Sequence, residues 1–107
     1  MKRCLIISDK FISKDSISEK LHCDIEVCTE YLQDYSDYML LVFDKGMEYT
    51  NVRNDEDVIT PYINVFNKDI PFDVITNMLN HGMVDFIFRP YSTASLSSKI
   101  NRYVLSI

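Results

Sequence analysis

Apolar and polar positions along the chain fall into blocks whose period changes from two to about 3.6. Arg3–Ser8 is a run of apolar and β-branched residues closed by Asp9 and Lys10, which predicts a buried strand. Ser13 or Asp15 offers a cap for a short helix through Leu21, with Ile17 and Leu21 on one face. Residues 24–29 set Ile25 and Val27 to one side and Glu26 and Cys28 to the other, the alternation of a second strand. Residues 30–35 predict one or two helical turns. Residues 38–43 are apolar throughout, as expected of a central strand covered on both faces. Residues 44–57 are polar and read as a loop with at most one short helical turn. Residues 58–66 hold a fourth strand with its core at Tyr62–Phe66. Pro71 then opens a helix reaching His81, with Ile75, Met78 and Leu79 toward the core and Gly82 closing it. Residues 84–88 are a fifth strand. Ser92 or Thr93 caps a last helix with Leu96, Ile100, Tyr103 and Val104 on its buried stripe.

Alternating strands and helices predict one parallel sheet with helices on both faces. Right-handed crossovers leave few topologies, and the flavodoxin-like order 2-1-3-4-5 is the first choice. The expectation is an α/β fold with a five-stranded parallel sheet and a third helix that is short or missing. Residues 1–107 make one domain, since 107 residues suffice for one core without metal or disulfide support.

A net charge of −5 repels phosphate backbones, so DNA contact is expected only through an additional C-terminal domain. No apolar run is long enough to span a bilayer, and the amino terminus lacks the length of a signal peptide. Three cysteines, Cys4, Cys23 and Cys28, with no CxxC pair, read as reduced core thiols of a cytoplasmic protein. Their spacing to His22 and His81 matches no metal site. No GxSxG, P-loop, GxGxxG or HExxH pattern occurs, so enzymatic chemistry is not expected. Flavin binding would need a phosphate-cradling loop after the first strand, where the bulky, acidic Asp9-Lys10-Phe11-Ile12 stands.

In such a sheet, ligands bind beyond the carboxyl ends of the strands. The residues there are Ser8 and Asp9, Asp44, Asn67 and Lys68, and Arg89-Pro90. Two carboxylates, an amide and a fixed cation would share one shallow rim. Carboxylates there can hold Mg²⁺, and the cation can clamp a phosphoryl group.

Met78 through Tyr91 resembles the segment of two-component response-regulator receiver domains in which a helix ends at Gly, an acidic-aromatic strand follows, and Lys-Pro-Phe closes it. Leu5-Ile6-Ile7-Ser8-Asp9 resembles that family's first strand with its acidic pair, and Leu40-Leu41-Val42-Phe43-Asp44 its third strand ending in the phosphoacceptor. The resemblance implies a CheY-like fold, with Asp44 as phosphoacceptor and Asp9 and Asp44 as Mg²⁺ ligands. It places Arg89 as the phosphoryl-site cation, Asn67 and Phe86 as switch residues, and a cis peptide before Pro90.

The match is atypical. Ser8 replaces an acid, and Arg89 replaces a lysine whose compact ammonium a planar guanidinium does not reproduce. Lys45 follows Asp44 where an apolar run is expected. Arg89 is therefore expected to pair with Asp44 or Asp9 and hold one fixed state. No cofactor is expected, and Mg²⁺ only if phosphorylation is retained.

By resemblance, the chain is a regulatory module that acts in signal transduction and transcription through protein contacts, independently of phosphorylation. It would be the N-terminal part of a longer regulator. It would pair with itself through a face carrying Asn77, Asn80, Asp85, Tyr91, Lys99 and Arg102, and a histidine kinase is the other implied partner. Two alternatives stand beside this one. The first is a conventional Mg²⁺-dependent receiver using Asp44, and the second a stand-alone adaptor.

Overall fold

A computed structural model describes residues 3–9, 17, 19–32, 34–45 and 60–106. Five strands, β1 (Arg3–Ser8), β2 (Asp24–Cys28), β3 (Leu40–Asp44), β4 (Tyr62–Phe66) and β5 (Met83–Phe88), form one sheet. Its order is β2-β1-β3-β4-β5, with every pairing parallel. The described helices are α1 (Phe72–Leu79) and α2 (Thr93–Ser106). Fold class and strand order are those expected from the sequence.

Alternation within each strand divides the core into two layers. Cys4, Ile6, Val42, Ile63, Val65 and Ile87 point to the side covered by Leu96, Ile100 and Val104 of α2 and by Ile17. Leu5, Ile7, Leu41, Phe43, Tyr62 and Phe66 point to the other side, against Ile75 and Met78 of α1 and Tyr35. The central strands β1, β3 and β4 are buried on both sides, which is why their sequences are almost uninterruptedly apolar.

Three expectations need correction. Residues 30–32, 34 and 35 form no helical turn. Local side-chain bonds compete with the helix there. The Asp34 carboxylate accepts from the Ser36 backbone N–H at 3.0 Å, and the Tyr35 hydroxyl accepts from the Leu32 N–H at 2.9 Å. The Tyr35 ring instead fills the core, edge-on to Phe43 at 6.0 Å. Second, α1 ends at Leu79, two residues before His81, and Leu79 is exposed. Gly82 follows with φ 109°, a conformation that disfavours any side chain with a Cβ. Third, Tyr103 is only half-buried, while Leu96, Ile100 and Val104 carry the buried stripe of α2. The predicted helix from Ser13 or Asp15 and the loop with its short third helix lie largely outside the described residues. Of the first, Ile17 is helical and fully buried, but the helix does not reach Leu21: the Lys20 N–H donates to the Ile17 carbonyl at 3.1 Å in a turn, and Leu21 is not helical.

Candidate functional site at the carboxyl ends of the strands

Register brings the site together. Ser8 is the partner of Asp44 across β1 and β3, so both end their strands side by side. By the alternation that sends Ile6 and Val42 toward α2, Ser8 and Asp44 point to that side as well. Both are buried, Asp44 to 2% exposure. The Ser8 hydroxyl donates to Asp44 Oδ2 at 3.4 Å.

Arg89 follows β5, and its backbone N–H donates to the Phe66 carbonyl at 2.8 Å, which fixes its position beside the end of β4. From there its guanidinium makes an ion pair with Asp44 Oδ1. Its other terminal nitrogen donates to Asn67 Oδ1 at 3.2 Å. The Arg89–Pro90 peptide is cis. Tyr91, two residues on, donates its hydroxyl to Asp44 Oδ2. Burial, and next the hydrogen bond to the Asp44 carboxylate, push the Tyr91 phenol well above the usual tyrosine range, so it stays a donor. Both oxygens of Asp44 thus accept from side chains of this chain.

Asn67, Asp44 and Arg89 therefore meet at one rim, and Asp9 joins it by backbone alone. Its N–H approaches the Asp44 carbonyl at 3.4 Å, while its exposed carboxylate makes no ion pair among the described residues. Phe86 lies apart from the rim, packed against Phe66 and Phe88 with Lys99 above its ring at 5.8 Å. Lys45 turns away from Asp44 toward the Glu30 carboxylate at 3.5 Å and the Tyr31 ring at 5.0 Å. Of the residues expected on a contact face, Asn77, Asn80 and Arg102 are exposed, and Asp85 and Lys99 are joined at 2.9 Å.

Among the described residues no three His, Cys, Asp or Glu side chains cluster as a metal site. The donor set also fits Mg²⁺ poorly, because Arg89, Tyr91 and Ser8 already engage both Asp44 oxygens and the neighbouring strand end offers a serine hydroxyl in place of a second acid. What the arrangement does offer is a neutralised, hydrogen-bonded carboxylate linking the ends of β1, β3 and β5. Tyr91 was not among the residues expected at this rim. Its one signal in the sequence is proximity, two positions after the cation.

No family model and no curated protein matches this sequence. Solved structures do match it in fold. One is the crystal structure of a response regulator receiver domain protein (CheY-like) from Methanospirillum hungatei JF-1. It is similar with a TM-score of 0.60 at 17% identity, over 99% of this chain and 95% of that one. In its strand order, its helices and this likeness, the chain has the fold of a CheY-like receiver domain.

Proposed function

We propose that this chain is a regulatory module of the receiver type that works through protein–protein contacts without phosphorylation of Asp44. The observation that carries the proposal is the engagement of the buried Asp44 carboxylate by Arg89 and Tyr91. In this reading Arg89 neutralises the Asp44 carboxylate, the part a bound Mg²⁺ would otherwise take. The linked strand ends hold the domain in one state, and Asn67 and Phe86 occupy switch positions without switching. Asn67 is held by Arg89, and the Phe86 ring lies under Lys99.

The same reading places self-association on α1, β5 and α2. Exposed apolar residues on these elements favour it, namely Phe72 and Leu79 on α1, Val84 on β5 and Leu105 on α2. The module would act in the cytoplasm, control transcription through a separate DNA-binding domain, and perform no enzymatic reaction.

Titration with beryllofluoride and Mg²⁺, followed by amide NMR, tests the proposal. Resonances of Asn67 and Phe86 are expected to stay in place. Mg²⁺-dependent shifts at both would overturn it in favour of a conventional receiver phosphorylated on Asp44.

A further inference from the structure

Cys4 and Cys23 stand 19 positions apart in sequence, yet their sulfurs are 3.1 Å apart. The fold explains the meeting. In the parallel register of β1 and β2, Cys4 is the partner of Ile25, and both point into the α2-side core. Cys23 lies two residues before Ile25, so strand alternation turns it to the same side, where it packs on that core. Both thiols are free in the structure, Cys4 fully buried and Cys23 half-buried.

We infer that Cys4 and Cys23 are a redox-active dithiol that closes to an intramolecular disulfide when a low-molecular-weight disulfide of the glutathione class is the oxidant. A disulfide holds its sulfurs about 2.05 Å apart, so closure needs about 1 Å of approach. Chemistry assigns the order of events. The hydrogen bond between the two sulfurs holds the Cys23 thiol below its usual range. The same bond, followed by burial, holds the proton on Cys4. Cys23 is also the accessible sulfur, so it is the attacking thiolate. It forms a bond to one sulfur of the external disulfide and expels the other as a thiolate, which takes up the proton Cys23 gave up. The Cys4 sulfur, giving up its proton through solvent, then displaces the second external sulfur as a thiolate, which takes up that proton. In total two protein thiols are oxidised to one disulfide, and one external disulfide is reduced to two thiols.

Cys28 is not a competitor. It packs on the opposite core layer, and its thiol donates to the Glu30 carbonyl at 3.3 Å. The dithiol lies at the amino ends of the strands, away from Asp44. Its second member follows a turn already clamped to α2, where Asn101 accepts from the His22 N–H at 3.0 Å and donates to the Lys20 carbonyl at 2.7 Å. Closing the disulfide ties β1 covalently to that turn.

The test equilibrates the purified chain across a series of oxidised-to-reduced glutathione ratios and then traps it with a maleimide. Free thiols are expected to fall from three to one at the oxidising end. A proteolytic fragment joining Cys4 and Cys23 should appear, the thermal midpoint should rise, and dithiothreitol should restore all three thiols. The Cys28→Ser variant should still close the bridge, and Cys23→Ser should not. Three free thiols at every ratio, persistent glutathione adducts, or a bridge through Cys28 or between two chains would overturn the inference. Should Cys23→Ser fail to fold, the fragment map and the Cys28→Ser variant decide alone.

Discussion

Asp44 sets the energetics of the rim because it is a carboxylate with only 2% of its side chain exposed. Burying a charge is costly unless it is paired and hydrogen-bonded, and here Arg89, Tyr91 and Ser8 meet that need. Arg89→Met leaves the carboxylate buried without its counter-charge. We expect a loss of about 3 kcal/mol in denaturant unfolding. The double variant Arg89→Met with Asp44→Asn should recover more than half of it. A single-variant loss near zero would mean that Tyr91 and Ser8 suffice. The positions of Asp44, Asn67 and Arg89 at strand ends were legible in the sequence, because a polar residue closing an apolar run marks its own place. Tyr91 was not, because a residue after the strand has no periodicity from which its direction can be read. Its neighbour in space, Asp44, is 47 positions away.

At the scale of elements, α2 owes its start to a reciprocal cap. The Ser92 hydroxyl accepts from the Ser95 N–H at 3.0 Å, and the Ser95 hydroxyl accepts from the Ser92 N–H at 3.1 Å. This satisfies two donors that the first turn otherwise leaves without partners. Ser92→Ala should therefore cost about 1 kcal/mol in thermal or denaturant unfolding. Thr93→Ala, one residue inside the helix, should cost markedly less, and equal losses would place the cap elsewhere. The sequence left Ser92 and Thr93 as alternatives, and the hydrogen bonds decide for Ser92. All five strands were legible because each is a short apolar or alternating run bounded by polar residues. Residues 30–35 were not. Tyr31, Leu32 and Tyr35 mimic a helical spacing, but Tyr35 is drawn into the core beside Phe43 and the backbone follows it.

At the scale of the molecule, β2 and β5 are the sheet's edges, and α1 and α2 flank the β5 side from opposite faces of the sheet. Light scattering of the chain at increasing concentration tests the assembly we propose on that side. The expected outcome is a mass of twice the monomer, lowered by charge substitutions at Val84 and Leu105, two exposed apolar residues whose replacement leaves the core intact. A monomer at every concentration would favour the adaptor reading.

By itself the sequence determined the periodicities, and with them the strands, the two described helices and the residues that end the strands. The order 2-1-3-4-5 was also within its reach, because alternating elements and crossover handedness leave few other arrangements. The sequence offered Asp44 or Asp9 as the partner of Arg89, and tertiary structure decided for Asp44 and settled which other side chains meet. Register set Ser8 against Asp44 and brought Cys23 to Cys4, and the end of β5 delivered Arg89 and Tyr91 to the same carboxylate. The reason is physical. Periodicity records how one element faces the core, whereas a contact between residues 19 or 47 positions apart depends on how several elements pack at once.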